Sequence, residues 1–290
     1  MTSFLDVRIQ AVGGGLAAEV GVCQATTIDN YQSLDPAQML KDIRGCHVLI
    51  ATHGFNNDRA AGIASLSNWA TLLQLPPTAA FVGLLWPGDS IWAHGLDYPD
   101  EPKIADEAGA LLGPWLDINF AGAASISFAS HSLGARVVLA TISNMNLPIR
   151  RVALMAGAID DNCLNKEFQP VTENIGEISI LASAKDTVLS EMFPLGNFFA
   201  GIIAEGHPWW RAAIGHKGPA KPLPANFQAP YEIPDDWSFN HGNYLQIDQP
   251  PPAALPLPVD VPPQGSSEPS DGGPGWQEAF TAAFVSTRFR

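Results

Sequence analysis

The 290-residue chain is 46% hydrophobic and 15% charged, a balance that supports a large buried core and excludes global disorder. Its 15 Lys and Arg against 29 Asp and Glu give a formal charge of −14, which leaves no basic footprint for nucleic-acid phosphates or anionic lipid and excludes partners of those kinds. Three widely spaced cysteines, Cys23, Cys46 and Cys163, form neither a disulfide framework nor a zinc knuckle, so they read as buried thiols and no metal is expected.

In chain order, two β-like runs, Phe4–Ile9 and Ala18–Val22, flank Gly13-Gly14-Gly15. The triple glycine reads as a turn, because the helix that a dinucleotide fingerprint requires does not follow. The first thirty residues carry Asp6, Arg8, Gln10 and Glu19 and lack a basic start leading into an apolar run, which points to a cytoplasmic protein without a secretory signal. Pro36–Arg44 reads as a helix stopped by Gly45. Short apolar strands then alternate with helix-length segments: His47–Thr52, Ala80–Trp86, Ser125–Ala129, Arg151–Ala156 and Glu177–Ala182. Strands apolar on both faces and spaced this way predict an α/β protein, with a mostly parallel central sheet and helices on both faces. Its chemistry then belongs in the loops after Thr52, Trp86, Ala129, Ala156 and Ala182. The stretch Ile118–Ala135 carries no charged residue but holds four serines, an asparagine and a histidine, so no membrane span is expected there. Gln249–Gly275, with nine prolines, reads as an extended linker. Trp276–Arg290 reads as a terminal segment that docks back onto the domain or onto a partner, being too short to bury a core of its own.

The segment richest in chemistry is Ser130-His131-Ser132-Leu133-Gly134, between the strand Ser125–Ala129 and a helix-like run. A serine between small residues at a strand-to-helix turn is the context of a nucleophile elbow, where bulk on either side would clash with a strained backbone. Ser132 is the predicted nucleophile. The strand Val48–Thr52 ends in His53-Gly54-Phe55-Asn56-Asn57, an arrangement that brings a backbone N–H close to an acyl oxygen. The Phe55 and Leu133 amides are therefore the predicted oxyanion donors.

The other partners follow in the order acid, then histidine. Asp186 stands just past the strand Ile178–Ala182 and is the first choice of acid; Asp160 and Asp161, one strand earlier, are its rivals. His47, His53, His94 and His131 precede the acid, and His207 follows it too closely, leaving His216 and His241. His241, in a loop leading to a short helix-like stretch, is preferred. His131 is expected to point away from Ser132, on the other side of the elbow, and to be structural.

These residues together resemble the α/β-hydrolase superfamily, and within it a bacterial family of serine hydrolases known as a domain of unknown function. The resemblance is carried by His53–Asn57, Trp86-Pro87, the Tyr98–Ala105 loop, His131–Gly134, Asp186 and His241-Gly242-Asn243-Tyr244-Leu245, over residues 45–248. It implies an α/β-hydrolase domain over residues 1–248 with a Ser132, Asp186, His241 triad, no cofactor and a small-molecule acyl substrate, most simply a carboxylic ester. Thioesterase, amidase and acyltransferase chemistry use the same triad, and a non-catalytic binding module with a partner-docking C-terminal arm is the alternative of a different class. The stretch 195–230, rich in aromatics and proline, is expected to cap the site, with His53, Trp86, Trp209 and Trp210 lining a substrate pocket. A homo-oligomer is compatible with all of this.

Overall fold

The computed structural model describes residues 1–9, 12–73, 75–89, 101–193, 211–228, 231–233, 235 and 238–244. The hairpin read from the triple glycine is present: β1 (Thr2–Arg8) and β2 (Leu16–Ala25) pair antiparallel, with Leu5 opposite Val22. A two-residue strand β3 (Gln32–Ser33) pairs antiparallel with β2. The helix α1 (Pro36–Ile43) has Asp35 as its N-cap, its side chain accepting from the Ala37 amide at 2.9 Å, and Pro36 occupies the first turn, where a missing N–H costs nothing.

From here the expected rhythm holds. β4 (His47–Thr52), α2 (Arg59–Leu73), β5 (Ala79–Leu85), α3 (Glu101–Asn119), β6 (Ser125–His131), α4 (Gly134–Ser143), β7 (Ile149–Met155) and β8 (Ile175–Ala182) follow one another, and a two-residue strand β9 (Tyr231–Glu232) closes the edge. The nine strands of the described residues form one sheet in the order β3-β2-β1-β5-β4-β6-β7-β8-β9, parallel from β1 to β9. The central strands are buried on both faces, as their unbroken apolar runs predicted: Val48, Leu49, Ile50 and Ala51 of β4 and Val152, Ala153, Leu154 and Met155 of β7 are all core. Parallel pairing sets the C-terminal ends of β1, β5, β4, β6, β7 and β8 along one rim, where the loops from different parts of the chain meet.

The described part of the expected cap, residues 211–228, packs at the C-terminal ends of β7 and β8 and along β8. Residues 226–228 bond along β8, Ile178 N–H donating to Asn226 O at 3.1 Å and Gln228 N–H to Ile178 O at 2.8 Å. The helical turn 214–217 wedges between the ends of β7 and β8: Gly215 N–H reaches Gly157 O at 3.0 Å and Ser183 N–H reaches Gly215 O at 3.0 Å. An aromatic-rich insert can satisfy its apolar residues along a sheet edge as well as over a pocket, and composition does not distinguish the two. The rest of the expected cap, with Trp209 and Trp210, and the proline-rich tail with its terminal segment lie outside the described residues. Among the described residues, no helix is long and apolar enough to cross a membrane.

Candidate active site

At the rim, β6 turns into α4 through Ser132, whose φ is +55°. A non-glycine residue in the left-handed region costs about 1–2 kcal/mol, and surrounding bonds hold it there. Ser132 N–H donates to Met155 O at 3.0 Å, while Ser132 O accepts from the Ala158 and Ala135 amides at 3.1 Å each. The side chain is nearly buried, and Leu133 follows as the N-cap of α4. The amide after the serine thus stands at a helix N-terminus, where the first N–H groups lack intrahelical partners and a developing negative charge is favoured.

Three groups from distant parts of the chain meet in hydrogen-bond sequence. Ser132 Oγ lies 2.9 Å from His241 Nε2, and His241 Nδ1 lies 2.8 Å from Asp186 Oδ2. Asp186 is fully buried just past β8, and its Oδ1 accepts from the Leu189 amide at 3.0 Å. A carboxylate only accepts, so His241 carries its proton on Nδ1 and presents a lone pair at Nε2 to the serine hydroxyl. His241 opens a short 3-10 turn, His241–Tyr244, tied to the acid loop from two sides. Ser183 Oγ–H donates to Phe239 O at 2.6 Å, and Asn240 Oδ1 accepts from Thr187 N–H at 3.1 Å and from the His241 amide at 2.8 Å. Two of the rival residues are engaged elsewhere: Asp161 pairs with Arg211 at 2.9 Å, and His216 Nδ1 donates to Ser183 O at 3.2 Å; Asp160 pairs through its backbone with Ala213.

The loop 53–57 runs against the serine. A Cβ placed on Gly54 would lie 2.6 Å from Ser132 Cβ, and one on Gly134 would lie 2.5 Å from His53 O, so glycine at both positions is what lets the β4 loop and the elbow touch. This brings the Gly54-Phe55 backbone beside the serine. The loop is also strapped from behind, by its own Asn56 and Asn57 and by Arg8, to which the sequence reading gave no role. Asn56, at φ +60°, donates its amide to Gly88 O at 2.6 Å. The Asn57 side chain donates to Gly54 O and Phe55 O at 3.2 and 3.1 Å. Arg8, at the end of β1, has a buried guanidinium that donates to Asn57 O at 3.0 Å and Trp86 O at 2.9 Å and pairs with Asp89. The one hint in the sequence was that Asp6 and Arg8 share a face of an otherwise apolar strand.

Two expected pocket residues are placed differently. His53 and Trp86 are fully buried and bonded to each other: Trp86 Nε1–H donates to His53 O at 3.0 Å, and Trp86 N–H reaches His53 Nε2 at 3.4 Å. Their rings stack at 6.0 Å, so they brace the loop from inside the core. His53 Nδ1–H donates to Gly54 O at 2.9 Å, and burial, helped by the Arg8 charge, pushes its pKa down to about 4. His131 is also placed differently from expectation. It does not point away from the site: its ring packs 4.8 Å from that of His241, and Nε2 lies 2.8 Å from His241 O. Strand alternation predicts opposite faces for neighbouring residues only while both keep extended φ, and Ser132 does not.

The His53 shift has a consequence for folding. Above pH 6.5 the ring is neutral in both folded and unfolded chains. Below it the unfolded chain takes up a proton that the folded ring refuses until about pH 4. Stability is therefore expected to fall as pH drops from 6.5 to 4, by up to about 1.4 kcal/mol per pH unit and about 3 kcal/mol in all. Urea unfolding across that range checks this: His53→Gln should show a shallower slope by that amount, and equal slopes in both proteins would rule the histidine out as the source.

No group of three or more His, Cys, Asp or Glu among the described residues is arranged to hold a metal ion. Residues 32–192, more than half of the chain, match the family described as alpha/beta hydrolase of unknown function, DUF900. The chain belongs to that family. The matched stretch of the DUF900 domain runs from β3 past Asp186 and so contains the elbow and the acid, while His241 lies beyond it. No curated protein matches the chain. Among solved structures, an uncharacterized protein from Bacillus cereus ATCC 10987 is 15% identical with a TM-score of 0.37, covering 55% of this chain and 50% of its own, so the chain spans about half its length. Esterase PE8 is 16% identical, TM-score 0.34, covering 53% and 79%. An esterase from the archaeon Pyrobaculum calidifontis is 12% identical, TM-score 0.38, covering 77% and 73%.

Proposed function

We propose that the protein is a serine hydrolase that cleaves a carboxylic ester through an acyl-enzyme on Ser132. The observation that carries this reading is the relay of 2.9 and 2.8 Å contacts from Ser132 Oγ through His241 to buried Asp186, set on a backbone forced to positive φ at the serine. In this reading His241 Nε2 takes the hydroxyl proton as Oγ attacks the acyl carbon, and Asp186 holds the imidazole in the Nδ1–H tautomer and stabilises the imidazolium. The Phe55 and Leu133 amides receive the charge that develops on the acyl oxygen. His241 then returns its proton to the departing alkoxide, and water repeats the sequence to release the acid. The chemistry requires no cofactor. The substrate in this reading is a small-molecule ester.

The test is labelling by a fluorophosphonate probe followed by peptide mass mapping, together with hydrolysis of short p-nitrophenyl esters. The wild-type protein should be labelled on Ser132 and turn over the ester, and Ser132→Ala should do neither. Label on a different residue, or an active Ser132→Ala protein, would defeat the assignment.

A further inference from the structure

His131 has a relation to His241 that neither its burial nor its place in the strand requires. We propose that His131 is a positioning residue that sets the distance between nucleophile and base, by donating its Nε2–H to the backbone carbonyl of His241. The proposal rests on the serine-hydrolase reading above.

Three observations carry it. First, the Nε2 to His241 O distance is 2.8 Å, and a carbonyl only accepts, so His131 presents the Nε2–H tautomer. Second, the connection closes a ring. His131 is covalently adjacent to Ser132, its Nε2 bonds the backbone of His241, and His241 Nε2 returns to Ser132 Oγ at 2.9 Å. Two residues joined by a peptide bond thereby hold opposite ends of one histidine, its backbone and its reacting nitrogen. Third, the bonds from Ser183, Thr187 and Asn240 tie the 239–241 segment to the acid loop, and they fix His241 relative to Asp186. They leave its position relative to β6 to other contacts, and the His131 bond supplies that registration. The ring packing agrees: His131 lies 4.8 Å from the His241 ring and 5.8 Å from Tyr244, which is fully buried beneath the turn. Burial and the neighbouring His241 push the His131 pKa down, so it remains a neutral donor while His241 does the proton transfer.

A shift of about 1 Å in a catalytic group costs about 10²-fold in rate, without a matching change in substrate binding. His131→Gln keeps an N–H donor at the reach of the ring nitrogen, His131→Asn carries the same amide on a side chain too short to reach the carbonyl, and His131→Phe keeps the ring without the donor. The expected result is that kcat for p-nitrophenyl acetate falls by about 10²-fold in His131→Phe and His131→Asn with KM nearly unchanged, while His131→Gln recovers most of the loss. Melting temperatures of all three are recorded alongside. If His131→Phe matches the wild type and His131→Gln is the poor variant, the histidine serves packing, and the proposal is overturned. Equal losses in Gln, Asn and Phe overturn it too. Should His131→Phe fail to fold, the Gln and Asn pair decides alone, since they differ by one methylene. Absence of Ser132 labelling and turnover in the wild-type protein would instead remove the serine-hydrolase reading, before any His131 variant is compared.

Discussion

Ser132→Ala is expected to lower kcat for p-nitrophenyl acetate by about 10⁶-fold, and adding His241→Ala or Asp186→Asn to it should lower the rate no further. Once the hydroxyl is gone, a base that would have taken its proton and a carboxylate that would have oriented that base have nothing left to act on. Singly, Asp186→Asn should cost about 10⁴-fold, because an amide can donate to His241 Nδ1 and so favour the tautomer whose Nε2 cannot accept the serine proton. What remains in every variant is the contribution of the Phe55 and Leu133 amides and of substrate binding, about 10³–10⁴ over water in comparable hydrolases. Asp161→Asn, by contrast, should leave kcat near the wild-type value, since that carboxylate is spent on Arg211. Steady-state kinetics on the singles and doubles, with melting curves as the control for folding, settle the matter. Losses that multiply from one substitution to the next would mean that the three side chains do not work as a unit.

The central strands were legible as short, mostly apolar runs of strand length, without the three-to-four-residue spacing of an amphipathic helix: β4 and β7 are buried on both faces, and β8 alternates buried with partly exposed residues. The elbow was legible for a related reason: few sequences put a serine among small residues between such a strand and a helix. Chain order then reduced seven histidines to two candidates, and the structure sets His241, not His216, against Ser132. What escaped local reading depends on contacts between distant segments. His53 and Trp86 stood in the right loops for a pocket, but their polar atoms bond each other across 33 residues, and hydropathy does not say which way the first residue after a strand will turn. His131 was expected on the other side of the elbow, but with Ser132 at positive φ the two neighbouring side chains both face His241. The insert after Asp186 had the composition of a cap, and its described part lies partly at the ends of β7 and β8 and partly along β8, a division that composition alone does not show.

Arg8 shows most clearly how the fold and the site depend on each other. Its guanidinium is buried with Asp89, which also accepts from the Gly13 amide at 2.8 Å, and it donates to the carbonyls of Asn57 and Trp86. Asp6, on the same face of β1, accepts from Arg8 N–H at 3.0 Å and Tyr31 Oη at 3.0 Å and pairs with Arg59 at 2.8 Å. Arg8→Met is thus expected to leave the Asp89 charge buried without its main partner and to strip a donor from each of two carbonyls, at a cost of about 3–5 kcal/mol. Against a total stability of about 5–15 kcal/mol that is a large fraction, and the melting temperature should fall by about 10 °C. Adding Asp89→Asn removes the uncompensated charge while keeping an acceptor for Gly13, so the double variant should regain much of the lost stability. It should not regain activity to the same degree, because the Asn57 and Trp86 carbonyls still lack the donor that straps the loop carrying the Phe55 amide against Ser132. Thermal melts and kcat on the two singles and the double separate these effects. A double variant that recovers both together would show that Arg8 serves stability alone, and one that recovers neither would show that the carbonyl contacts, more than the charge pair, hold this corner of the sheet.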